Sequence, residues 1–129
     1  MAGKYLLDTN IVIALFAGAR SVVRKLKRAS QVYLPSVTVG ELFYGAYKSS
    51  QVRENVRRIE EFVAVNAVLA CDAATAELYG YVKSRLQGKG RPLPDNDIWI
   101  ASLARQHGLT LVSRDVHFKE VEKIHLEAW

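Results

Sequence analysis

Cysteine is nearly absent. Cys71 is the only one among 129 residues, so an internal disulfide is excluded and a reducing compartment fits. It closes the apolar run Ala67-Val68-Leu69-Ala70-Cys71, where a buried, inert thiol is expected rather than a nucleophile. Long hydrophobic runs are absent too. The stretch from Ile11 to Ala17 is far too short to span a bilayer, and Met1-Ala2-Gly3-Lys4-Tyr5 carries no secretory pattern. A cytosolic protein without membrane attachment is expected. Histidine is scarce: His107, His117 and His125 show no zinc-type pairing. There is no Gly-x-Ser-x-Gly elbow and no phosphate-binding Gly-x-x-x-x-Gly-Lys-Ser/Thr loop. Repeats, low-complexity tracts and linkers are missing, so one domain covering residues 1–129 is expected.

What is present is an ordinary globular composition with an excess of cations. Half of the residues are hydrophobic and 24% are charged, enough to build a core without staples. Eighteen Lys and Arg face thirteen Asp and Glu, a net charge of +5, with a pI near 9.5. Such an excess suits a polyanionic partner, and it also occurs on proteins that bind no nucleic acid.

Short strand-like runs alternate with longer helical ones. Tyr5-Leu6-Leu7 reads as a buried strand ending at Asp8, followed by a helix from near Thr9 to Phe16. Ser21 to Arg28 reads as a helix with Val22, Val23 and Leu26 inward and Arg20, Arg24, Lys25, Lys27 and Arg28 outward. Val32-Tyr33-Leu34 is a second strand, and Ser36 is expected to cap the helix carrying Val39, Leu42, Phe43, Ala46 and Tyr47. Val52, Val56, Ile59 and Val63 stripe the next helix. A third strand over Ala67 to Cys71 leads to a helix capped by Asp72, and Gln87 to Pro92 is expected to be a flexible basic loop. The last helix runs from Asp97 to Gln106 with Gly108 at its C-cap. A fourth strand follows at Leu109 to Val112, and a weak fifth around His125 to Glu127. This order predicts an α/β domain: a mainly parallel sheet of four to five strands with helices on both faces.

In such a sheet, ligands bind beyond the carboxyl ends of the strands. Asp8 follows the first strand and Asp115 comes three residues after Val112, so both approach the same sheet edge. Each acid has a plain structural reading. Asp8 suits a cap, Asp97 suits a helix mouth, Glu41 suits a solvated helix face, and Asp115 suits a pairing with Arg114. Convergence alters this. Two carboxylates 4 Å apart repel by about 4 kcal/mol at an effective dielectric near 20, so three or four gather only around a cation or with raised pKa values. All-oxygen ligation suits Mg²⁺ or Mn²⁺.

Four segments resemble the PIN-domain nucleases, and more narrowly the VapC toxins of prokaryotic toxin–antitoxin pairs. They are Leu6-Leu7-Asp8-Thr9-Asn10, Val39-Gly40-Glu41-Leu42-Phe43-Tyr44-Gly45-Ala46, Asn96-Asp97-Ile98-Trp99-Ile100-Ala101 and Leu111-Val112-Ser113-Arg114-Asp115-Val116-His117-Phe118. The resemblance implies a PIN-like fold and a Mg²⁺-dependent endoribonuclease with Asp8, Glu41, Asp97 and Asp115 as its acidic quartet. Asp8, Asp97 and Asp115 would ligate the metal, and Glu41 would hold a second ion or position the water. Thr9, Asn10 and Ser113 would be polar groups behind the ligands, Ser113 standing where Thr is usual. Asp95 is a neighbouring acid that competes with Asp97 for its role. The resemblance also implies a small VapB-like antitoxin and a homodimer. Lys89 and Arg91, then Arg24 and Arg28 with Arg20, Lys25 and Lys27, are candidate contacts to RNA phosphates, against a plain reading in which Arg24 to Arg28 merely solvate a helix face.

Two other readings compete. An aspartyl phosphatase would want a second acid where Asn10 stands, and a receiver domain would want adjacent acids before its first helix. A PIN-like domain that binds RNA or a partner without cutting, or a housekeeping RNA-processing nuclease, is the closer alternative.

Overall fold

The computed structural model describes residues 3–129; Met1 and Ala2, part of the segment read for a secretory pattern, lie outside the described residues. The strands are β1 (Lys4–Leu7), β2 (Gln31–Pro35), β3 (Ala67–Leu69), β4 (Thr110–Val112) and β5 (His125–Glu127). The helices are α1 (Thr9–Phe16), α2 (Arg20–Arg28), α3 (Ser36–Tyr47), α4 (Val52–Ala64), α5 (Ala73–Gly88) and α6 (Asp95–His107). A 3₁₀ helix spans Val116–Glu120 between β4 and β5.

The sheet order is β3-β2-β1-β4-β5, and all four pairings are parallel. β1 lies at the centre, and its residues explain why. Leu6 and Leu7 are both fully buried although successive strand side chains point to opposite faces. Leu6 and Leu111 join the core formed with Ile98, Ile100 and Phe118. Leu7 and Val112 join the opposite core with Ile11, Val12 and Leu34. A strand apolar on both sides must be covered on both sides, which the helices achieve. The predicted α/β sheet is thus observed, the fifth strand included.

Several boundaries differ from the sequence reading. β3 stops at Leu69, leaving Cys71 half-buried outside the strand. Burial still pushes its thiol upward, as an inert cysteine requires. The residue flanking α3 is Pro35, not Ser36, with no side-chain capping bond. Proline's restricted φ suits that extended position, and Ser36 becomes the first helical residue. α5 continues to Gly88 into the expected loop, and α6 starts two residues early because Pro94 takes the extended N-cap conformation. Asp72 caps α5 in a reciprocal capping box with Thr75, and Gly108 closes α6 at φ 64°.

Strand order reverses between β1 and β4: the chain builds outward from β1 through β2 and β3, then returns to add β4 and β5 on the other side. The crevice at such a switch point lies beyond the carboxyl ends of those two strands. Asp8 and Ser113 are the residues that immediately follow them.

Candidate active site

Asp8 leaves β1 in an extended conformation and accepts a hydrogen bond from the Thr9 N–H at 2.8 Å, so it is the N-cap of α1. That is the plain role of a strand-end Asp, and it uses one oxygen. The other oxygen accepts the Ser113 hydroxyl at 2.7 Å. The Asp8 N–H donates to the Val112 carbonyl at 2.9 Å, drawing the end of β1 onto β4. The residue is only 5% exposed.

Ser113 is the junction of the site. Its hydroxyl donates to Asp8 and accepts the Asp115 N–H at 3.0 Å and the Asn10 amide at 3.3 Å. Asn10 in turn accepts the Arg114 N–H at 3.2 Å. One buried hydroxyl thereby ties α1 to the loop after β4. On the other flank, the Thr9 hydroxyl donates to Glu41 Oε1 at 2.7 Å. Thr38, fully buried one turn before Glu41, donates to the Leu7 carbonyl at 3.2 Å and pins α3 to the end of β1.

Asp97 lies in the first turn of α6, where the helix dipole favours a carboxylate. Asp95 shares that turn, and the structure separates the two. Asp95 is bound by the Tyr79 hydroxyl at 2.9 Å and Lys83 at 3.0 Å, a surface ion pair that holds its carboxyl below the ordinary range. Asp97 instead meets His117: the ring Nε2 lies 2.9 Å from Asp97 Oδ2, and Nδ1 lies 2.9 Å from Asp115 Oδ1. Asp115 caps the 3₁₀ helix and accepts the His117 N–H at 3.3 Å.

The four acids therefore share one electrostatic field. Burial raises the Asp8 carboxyl above its ordinary value, and the charges of Glu41 and Asp115 add to that rise, against the bonds from Ser113 and Thr9. Burial also raises Asp97, reinforced by Asp8 and Asp115 and opposed by His117. Among the described residues, ligand atoms of Asp97, Asp115 and His117 all lie within 4.8 Å of one another. That tight triple contains His117 and not Asp8, whose two oxygens each accept one hydrogen bond, from Thr9 and Ser113, and keep further lone pairs. The donor set fits a divalent cation: clustered, partly buried carboxylates carry negative charge that an ion would offset.

His117 is the residue that sequence reasoning missed, having counted the three histidines as isolated. Its proximity to Asp115 was legible at two residues' distance. Its partner Asp97 lies 20 residues away and meets it only through folding. The candidate phosphate contacts divide. Lys89 is engaged by the Glu120 carbonyl at 2.6 Å and lies 4.0 Å from Glu122. Arg91, Arg24 and Arg28 are exposed, and among the described residues they form no ion pair.

Residues 5–124 match the PIN domain family. The chain is 37% identical to a Haemophilus influenzae protein named Ribonuclease VapC2, over 98% of each chain. It is also 37% identical to a Shigella flexneri protein named tRNA(fMet)-specific endonuclease VapC, again over 98% of each. The crystal structure of DNA-bound VapBC from Salmonella typhimurium superposes with a TM-score of 0.91 at 30% identity, covering 100% of this chain and 99% of that one. With its acidic crevice at the β1/β4 switch point, the chain belongs to the PIN-domain family and, within it, to the VapC ribonucleases.

Proposed function

We propose that this protein is a divalent-metal-dependent endoribonuclease, the toxin of a toxin–antitoxin pair, working in the cytosol. The reading is supported chiefly by Asp8, which is buried, and Asp97, which is half-buried: both have raised carboxyl pKa values, to which the charges of Glu41 and Asp115 contribute. Such an arrangement is costly for folding alone and useful around a cation.

Asp97 and Asp115, with Asp8 beside them, would hold Mg²⁺ or Mn²⁺, which supplies Lewis acidity and a more acidic bound water when present. Ser113 keeps Asp8 and Asp115 in fixed relation through its single hydroxyl. The Thr9 hydroxyl holds the Glu41 carboxylate, which would bind a second ion or position the attacking water. His117 braces Asp97 against Asp115. The reaction is hydrolysis of an RNA phosphodiester, with water adding to phosphorus as the ribose oxygen departs.

The VapBC structures among the structural neighbours support a small VapB-like antitoxin as partner. A groove lined by Ile13, Phe16, Glu41, Leu42, Ala46 and Ile59 runs beside the acids. Ile13, Tyr44 and Tyr47 leave large apolar surface exposed on α1 and α3, which suits an antitoxin segment or the homodimer. The relatives named tRNA(fMet)-specific endonuclease make initiator tRNA the first substrate to test.

The test is cleavage of tRNA by purified protein with Mg²⁺ or Mn²⁺, with EDTA, and by Asp8→Asn and Asp97→Asn. Cleavage that needs the ion and falls roughly 10²- to 10³-fold in each variant is expected, the scale of losing one electrostatic group at a reacting centre. Equal behaviour of wild type and variants, with or without EDTA, overturns the proposal.

A further inference from the structure

A site made of four carboxylates repels the phosphates it must approach, so affinity for RNA has to come from other parts of the surface. Between Asp8 and Glu41 the sequence contains no acidic residue, yet it contains Arg20, Arg24, Lys25, Lys27 and Arg28. All five lie on α2, a nine-residue helix, and all five are exposed. Among the described residues none of them forms an ion pair. Surfaces usually intersperse charges of both signs, so a single-sign face of this density marks electrostatic attraction of a partner.

The arrangement is also shaped. Arg20, Arg24 and Lys27 follow one another at helical spacing and, with Gly18 and Val23, line one concave surface. Gly18, at φ 81°, turns the chain sharply from α1 into this helix. The concavity is continuous in the chain with the acidic crevice. α1 follows its N-cap Asp8, and its eight residues rise about 12 Å. It ends at Phe16, whose carbonyl accepts Arg58 at 3.3 Å and whose ring lies beneath that guanidinium. Phe16 and Arg58 line the same groove as Glu41. Arg58 therefore adds a cation at the Phe16 end of α1, the end that leads into α2.

We infer that the α2 face bearing Arg20, Arg24 and Lys27 is a phosphate-binding exosite that holds the RNA backbone away from the bond being cut. This rests on the reading of the protein as an RNA-cutting enzyme and adds where the substrate is held. Guanidinium and ammonium groups on one helix face contact phosphates without reading bases, so the exosite supplies affinity and orientation, and sequence preference arises elsewhere. Lys89 is the weaker candidate for this work, since Glu120 and Glu122 already engage it.

The test measures binding of fluorescently labelled tRNA by anisotropy, across a salt series, on the Asp8→Asn protein so that substrate survives. Arg20→Gln, Arg24→Gln and Lys27→Gln are combined; glutamine keeps helix propensity, and an unchanged far-ultraviolet spectrum and melting temperature verify folding. A control protein loses three cations elsewhere, through Arg53→Gln, Arg57→Gln and Lys123→Gln. The α2 triple variant is expected to bind roughly tenfold more weakly or worse at moderate salt, with the slope of log affinity against log salt reduced by about 2–3, the value for three lost phosphate contacts. The control is expected to change the slope by less. In the active protein the same α2 changes should raise KM for tRNA more than they lower kcat. An unchanged slope in the α2 variant, or an equal fall in the control, overturns the exosite. So does unaltered tRNA binding coupled with lost affinity for polyglutamate, which assigns the face to an acidic protein segment. Failure of the parent Asp8→Asn protein to bind tRNA even at low salt overturns tRNA as the substrate proposed above, whatever the α2 face does, so the two failures are told apart.

Discussion

Asp8 serves two purposes that pull against each other. As the N-cap of α1 it stabilises a helix, and as a nearly buried carboxylate facing Glu41 and Asp115 it strains the fold. Because burial raises its pKa, the folded chain holds the Asp8 proton more tightly than the unfolded chain does. Stability is therefore lost as pH rises from the ordinary value of 3.8 through the raised one. Asp8→Asn in EDTA should melt higher than wild type at pH 7, by on the order of a few degrees. The gap should close below 3.8, where both states are protonated. A variant that melts lower at neutral pH in the absence of metal would contradict this account. Ser113 makes a different prediction. Its hydroxyl holds Asp8, Asp115 and Asn10 together, so Ser113→Ala should reduce activity roughly 10- to 100-fold, whereas Ser113→Thr should retain most of it. At this scale Asp8, Asp97 and Asp115 could be singled out because each lies at or near an element end, whereas Glu41, in the middle of α3, was singled out only through the family resemblance. His117 was not, because its role depends on a residue in another helix.

Single elements obey local rules that the sequence displays openly. Gly108 is the clearest. It ends α6 in the left-handed region, and a Cβ there would meet nothing within 4 Å. The cost of Gly108→Ala is thus purely a backbone cost, about 1–2 kcal/mol in urea unfolding, and Gly108→Asn should lose less. A loss well above that range would reveal a packing role the structure does not contain. The α5 capping box and the Gly108 turn were readable because caps rest on neighbours in sequence. The start of α6 was misplaced by two residues because the apolar run Ile98 to Leu103 pointed to the buried part of the helix. Pro94, whose fixed φ suits the extended N-cap position, decides where the helix begins. This shift puts Asp95 and Asp97 in the same first turn, and only their partners, Lys83 for one and His117 for the other, separate them.

For the molecule as a whole, the crevice and the fold energy are linked through the cation. Ions that bind the folded acids and not the unfolded chain must stabilise the fold, by about 2.7 kcal/mol at a hundredfold excess over Kd. Mn²⁺ or Mg²⁺ should therefore raise the melting temperature of the wild-type protein, and Asp97→Asn should abolish most of that rise. Equal shifts in both proteins would place the ion elsewhere. The sequence by itself determined the alternation of strands and helices, the burial of the first strand and the acids at strand ends and helix mouths. These follow from periodicity and from interactions between near neighbours. The tertiary structure decided which acids meet. The parallel pairing of β1 with β4 joins segments about a hundred residues apart and brings Ser113 onto Asp8. Packing of α6 against the sheet then delivers Asp97 to His117. Such contacts depend on strand order and helix crossing, which no local pattern encodes, and in this protein they turn four separate caps and helix acids into one charged crevice.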